Sequence, residues 1–275
     1  MALEETPWIM PPINIPFFTE ICYGTATYME EGIHVSIAAE RLTEWMGIPI
    51  TNTLVMSWVV VLVLVFFAWK TTRQTRLVPG KFQIITETLF GGLTDFVAET
   101  LESKDLAKRF TPFLLAIFLF ILIGNWLEFI PGVESIVYHH PDGAHIPVLR
   151  ALNTDLNVTL ALALIAFITI EVTGVAVLGF FKYAGKFINF HSFVGFFVGL
   201  LELLSEMIRL ISFSFRLFGN IFAGSVLVMI ITFLAPYIIP VPFILFEIFV
   251  GLIQAAVFSL LTLFFIKLAI MDTSH

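Results

Sequence analysis

In the stretch SFSFRLFGNIFAGS (residues 212–225), Arg216 is the last charge before 30 uncharged, mostly apolar residues, Leu217–Phe246. Glu202, Ser205, Glu206, Arg209 and Ser212 precede it, and Asn220 follows. A helix advances about 100° per residue, so Ser205, Arg209, Ser212, Asn220 and Ala223 fall within about 40° of Arg216. Glu202 lies about 40° to one side and Glu206 about 80°. One stripe therefore carries carboxylates, then hydroxyls, then a cation, then an amide. In the next apolar run Glu247 and Gln254 stand seven residues apart with Gly251 between them, which places them on one face of a helix. These are two polar stripes inside an apolar sheath.

The arginine sets the chemistry. Placed mid-membrane it costs roughly 2.5–3.5 kcal/mol, and it cannot shed its proton, because its pKa exceeds about 12. It needs a carboxylate or a water-filled cavity. No acidic residue of the chain stands within nine positions of Arg216, so the anion is expected from another subunit. Blander roles compete. Arg216 could snorkel to an interface, and Glu202, Glu206 and Arg209 could form a solvated helix end. Glu247 could bridge to Arg216 or Arg209, and Gln254 could make a helix–helix hydrogen bond. Glu171, midway along another apolar run, is expected in a structural or vestibule role, and Asn125 as a helix-end cap. His139, His140 and His145 share a loop that reads as solvated, and no metal site is expected there.

The elements that must position these residues follow from composition. Of 275 residues, 59% are hydrophobic and 13% charged, with 31 phenylalanines. Soluble domains carry roughly 25% charged residues, so the chain is expected to fold in a lipid bilayer as an all-α polytopic membrane protein of five to six helices. A net charge of -7 excludes a basic nucleic-acid footprint. The single Cys22 excludes an intramolecular disulfide framework, and the acidic, proline-rich start lacks the basic region of a secretory leader.

Spans of about 20 apolar residues are expected at 50–69, 110–130 and 156–181. Residues 82–108 place Phe82, Ile85, Leu89, Leu93, Phe96 and Leu101 opposite Glu87, Asp95, Glu99 and Glu102, as an amphipathic helix on a membrane surface does. Residues 193–235 and 243–269 exceed a vertical crossing and are expected to form a tilted hairpin packed against protein. The first 50 residues hold seven Glu and one Arg, whereas Lys70, Arg73, Arg76 and Lys81 follow the first span. The positive-inside tendency then puts the acidic segment 1–45 outside, the basic loop inside and, by parity, the C-terminus in the cytoplasm.

RLFGNIFAG (216–224) and GLIQAAVFSLLTLFF (251–265) closely resemble subunit a of the rotary F-type ATP synthases. The resemblance extends through GNWLEFIPG (124–132), TDLNVTLALAL (154–164) and ELLSEMIRLISFSFRLFGN (202–220). It implies a non-catalytic, proton-translocating stator subunit beside a c-subunit ring and peripheral-stalk b subunits, most naturally in a bacterial plasma membrane. Arg216 matches the arginine that faces the ring carboxylates. The outer half-channel maps onto Asn220, Glu247 and Gln254, with Ser225 where many relatives carry an acidic residue or histidine. The inner one maps onto Glu202, Ser205, Glu206 and Ser212. No cofactor or metal is implied, H⁺ and Na⁺ both remain open, and the chain lacks a GxxxxGK[ST] phosphate loop. Two other classes compete. A haem or quinone oxidoreductase needs histidines inside spans, and the six here lie outside the apolar runs or at their edges. A stand-alone ion-coupled secondary transporter should show repeated halves, and none is visible.

Overall fold

The computed structural model describes residues 39–45, 48–73, 80–130, 133, 136–139, 145–187, 193–235 and 237–271. The acidic segment is described only from residue 39 onward. The chain is a bundle of α-helices. They are α1 (Asn52–Arg73), α2 (Lys81–Leu101), α3 (Lys104–Leu127), α4 (Leu156–Leu178), α5 (Phe180–Phe187), α6 (Phe193–Leu234) and α7 (Pro240–Ile270). Five of these, α1, α3, α4, α6 and α7, are long and apolar enough to cross a membrane. Two short antiparallel hairpins, β1 (Arg41–Trp45) with β2 (Ile48–Thr51) and β3 (Val137–His139) with β4 (His145–Pro147), were not expected. The second of them takes in the backbone at His139 and His145 of the expected solvated loop, whereas His140 lies outside the described residues.

The surface is largely apolar. Phe181 is 91% exposed, Leu62 69% and Ile208 63%, which is tolerable only where lipid or another chain covers them. The interior is narrow and specific. Ile117 and Ile121 of α3, Ala163 and Ala166 of α4, Leu217 and Ile221 of α6, and Ala255 and Phe258 of α7 form one core. Phe213 of α6 meets the Phe258 and Phe265 rings edge-on at 5.0 and 5.5 Å. Small residues on α4 and α7 let the backbones approach where lipid supplies no hydrophobic drive to helix association. On α6 the buried positions 213, 217 and 221 recur every four residues, which leaves Arg216 and Asn220 on the open side.

Three boundaries differ from expectation. The amphipathic helix ends at Leu101 rather than near 108. There Glu102 takes a left-handed backbone (φ 54°), and the Ser103 hydroxyl accepts the Leu106 N–H at 3.4 Å to cap α3. The C-terminal part of α2 is held by Val97 and Leu101 against Phe110, Leu114 and Ile266, while Leu89 and Phe90 remain exposed. The third span ends at Leu178 and not at 181, because Gly179 adopts φ 85°, a region only glycine enters freely, and redirects the chain into α5. At α7 the helix begins at Pro240, whose missing N–H costs nothing in a first turn.

The two last helices have 42 and 31 residues. At about 1.5 Å per residue α6 is about 63 Å long, roughly twice the hydrocarbon thickness of about 30 Å.

Candidate functional site

The polar stripe of α6 opens onto a cavity of about 270 Å³, bounded by Ser205, Arg209, Ser212 and Arg216 on one side and by Leu261 and Phe265 of α7 on the other. Arg216 is exposed, and its Nη2 donates to Ser212 Oγ at 3.3 Å, one turn back. Among the described residues no carboxylate lies within ion-pair distance of it. One turn further on, Asn220 is exposed on the same face.

The other arginine of the stripe is differently placed. Arg209 Nη1 donates to Glu206 Oε2 at 2.7 Å, and both side chains are largely buried. Its guanidinium also lies 4.1 Å from the centroid of the Phe265 ring. The solvated-helix-end reading of Glu206 and Arg209 is therefore corrected: the pair is largely buried, with Arg209 packed on Phe265 of α7. Glu202, one turn earlier, is half-buried, and the Ser205 hydroxyl donates to the Leu201 carbonyl at 2.8 Å. Both arginines thus line one cavity, but only Arg209 has a carboxylate of its own.

Glu247 is 4% exposed, and its carboxyl presses against Gly224 of α6, where any Cβ would collide with it. Its Oε1 has no hydrogen-bond partner among the described residues. Gly224 lies eight residues, about 12 Å, beyond Arg216 along α6. Glu247 is therefore not the partner of either arginine. Gln254 is half-buried two turns further along α7.

Ser225 meets a carboxylate that the sequence reading did not single out. Its hydroxyl is 2.6 Å from Glu128 Oε1 and 2.9 Å from the Ile221 carbonyl, so its one proton serves either acceptor. The Gly224–Ser225 turn of α6 consequently touches two carboxyls, Glu247 from α7 and Glu128 from the end of α3. The only hint in the sequence was a charge closing an apolar span in GNWLEFIPG. Asn125, expected as a helix-end cap, instead crosses between helices. Its Nδ2 donates to the Gly251 carbonyl at 3.1 Å, and its Oδ1 accepts from Asn153 Nδ2 at 2.6 Å. Trp126 Nε1 donates to the Ile248 carbonyl at 3.2 Å beside it. These bonds lock α3 against the stretch of α7 that carries Glu247 and Gln254.

Glu171, the residue of α4 expected in a structural or vestibule role, accepts the Tyr183 hydroxyl at 3.0 Å. Among the described residues no group of three or more His, Cys, Asp or Glu side chains could hold a metal ion.

Five apolar helices, a cavity lined by two arginines between α6 and α7, and carboxyls buried among the helices define a polytopic membrane protein. Sequence comparison gives the family. Residues 54–267 match the family model described as ATP synthase A chain. The chain is 32% identical to "ATP synthase subunit a" of Mycobacterium leprae over 262 residues, covering 91% of this chain and 99% of the relative. It is also 32% identical to "ATP synthase subunit a, sodium ion specific" of Propionigenium modestum, over 90% of this chain and 84% of the relative. Over 81% of this chain and 88% of the relative it is 32% identical to "ATP synthase subunit a 1" of Crocosphaera subtropica. The chain belongs to the ATP synthase subunit a family: it is an integral membrane component of the ATP synthase complex and assembles with the other subunits of its membrane sector.

Proposed function

We propose that this subunit loads and unloads protons on the carboxylates of a c-subunit ring through two half-channels that meet at Arg216. The observation that carries the reading is the placement of that arginine: exposed on a cavity, permanently charged, and without a carboxylate partner among the described residues. An unpaired cation in an apolar surface calls for an anion from a neighbour, and a ring carboxylate passing this face supplies one.

A proton entering from the outer side reaches Glu247 and Glu128, which flank the Gly224–Ser225 turn, and passes Gln254 and Asn220 to the ring. Glu128 joins this path on the strength of its contact with Ser225. Protonation makes the ring carboxyl neutral, and a neutral acid is far less costly to carry through lipid than its anion. After the ring has turned, the carboxyl meets the cavity from the inner side. The positive field of Arg216 favours its ionisation there, and the proton leaves past Ser212, Ser205, Glu206 and Glu202. The fixed cation also blocks a direct proton hop between the two paths. Each charge that crosses about 100 mV delivers roughly 2.3 kcal/mol to rotation. The hairpin of α6 and α7 lies inclined in the membrane, the N-terminus outside and the C-terminus in the cytoplasm, and b subunits of the peripheral stalk hold the subunit still. A bacterial plasma membrane is the setting that fits the bacterial relatives.

Oxidative cross-linking tests the ring contact. In a Cys22→Ser background, Asn220→Cys is combined with cysteines placed one at a time along the outer helix of the c subunit. Disulfides are expected only for positions within about a turn of the ring carboxylate. Absence of any cross-link along that helix, in complexes that assemble, would overturn the docking face.

A further inference from the structure

Behind the cavity lies a second acidic site that the route above does not use. Gly179 turns the chain so that α5 folds back and seats Tyr183 on Gly174 of α4, so closely that a Cβ there would strike the ring. Tyr183 is only 4% exposed. Its hydroxyl donates to Glu171 Oε2, while Glu171 Oε1 is buried and has no hydrogen-bond partner among the described residues. α5 also packs against α6, where the charges of Glu206 and Arg209 act on the phenol in opposite directions. Arg209 in turn lines the cavity that holds Arg216. Polar groups on three helices that pack on one another, Arg209 and Glu206 on α6, Tyr183 on α5 and Glu171 on α4, thus begin at the cavity and end at Glu171.

Resting on the proposed function, we propose that Tyr183 and Glu171 form a proton-transfer station of the inner half-channel, which thus passes between α4, α5 and α6 instead of following α6 alone. A proton arriving from the cavity adds to the Tyr183 oxygen as the tyrosine's own proton moves to Glu171 Oε2. Glu171 then gives a proton to cytoplasmic water, and rotation of the hydroxyl restores the start. Each oxygen gains one proton and loses one. Burial, then the charge of Glu171 and its hydrogen bond, push the phenol above its ordinary value, with Glu206 adding to this and Arg209 opposing it. The tyrosine consequently stays a neutral hydroxyl, able to accept and donate in one movement. The charged groups that act on it are Glu171 from α4 and Glu206 and Arg209 from α6.

The test uses membrane vesicles that contain the whole complex, with flux normalised to the amount assembled. Tyr183→Phe keeps the ring on Gly174, and Glu171→Gln keeps the size of the side chain, so both preserve the packing. Each is expected to lower ATP-driven proton uptake about tenfold, since a positioned acid–base group contributes at least that much. The two should shift the pH profile alike, the double variant should be no worse than either single one, and Glu171→Asp should recover part of the flux. Wild-type uptake and pH profile in both single variants would overturn the proposal. So would a deficit confined to the amount of complex assembled, since that assigns the pair to packing. Arg216→Ala is measured alongside. Loss there with normal flux in the Tyr183 and Glu171 variants defeats this inference alone, whereas normal flux in Arg216→Ala defeats the half-channel reading beneath it.

Discussion

Vesicles carrying Arg216→Ala should lose ATP-driven proton uptake by at least about a hundredfold, the usual cost of removing one preorganised charge from a reacting centre. Passive proton leak under an imposed potential should persist or rise, because the cation proposed to separate the two paths is gone. The sign of the leak is the discriminating result. Among the described residues Arg216 makes one hydrogen bond, to Ser212 on its own helix, and bridges no two helices, so a merely structural arginine would not change leak and pumping in opposite directions. Lysine should substitute poorly, since a buried ammonium can lose its proton and a guanidinium cannot. Normal coupled pumping in Arg216→Ala or Arg216→Lys would make the arginine a snorkelling anchor. Running the assay with and without added Na⁺ also identifies the ion, because uptake that requires Na⁺ would assign that ion in place of H⁺.

If Glu247 carries protons on the proposed outer path, Glu247→Gln should produce the second large loss, again about a hundredfold. The amide keeps the shape of the side chain against Gly224, so the packing of α7 on α6 survives the change. The neighbouring glycine makes the argument sharper. Gly224→Ala places a methyl where the Glu247 carboxyl now lies, which must push the acid out of its seat. A partial loss of flux should follow. Because the two residues touch, their effects should not add: Glu247→Gln combined with Gly224→Ala should be no slower than Glu247→Gln alone. Shortening the acid with Glu247→Asp should relieve Gly224→Ala. Full additivity, or no rescue by Glu247→Asp, would place the outer route elsewhere, with Glu128 the next carboxyl to test.

The family comparison also decides between the classes that the sequence left in competition. A match over residues 54–267, and relatives aligned over most of their length, leave no room for a stand-alone transporter or an oxidoreductase.

Hydropathy and helical period by themselves determined the class of the protein, its apolar spans and the polar stripe of α6. Each of these is a local property: a run of about 20 apolar residues must cross lipid, and residues three or four apart must share a face. The lack of an acid within nine positions of Arg216 was also legible, but only the packing of Glu247 against Gly224 removed that residue as its partner. What the tertiary structure decided are the pairings between helices. Ser225 reaches Glu128 across 97 residues of chain, and Asn125 reaches Gly251 across 126. No periodicity encodes such distances, because they depend on how the core residues of α3, α4, α6 and α7 interlock. Tyr183 was invisible for a related reason. Its role depends on one positive φ at Gly179 and on the bare Gly174 that lets the ring settle beside Glu171. A pattern of residue types can say that a helix carries acids, but only the packed backbone says which neighbour each acid meets.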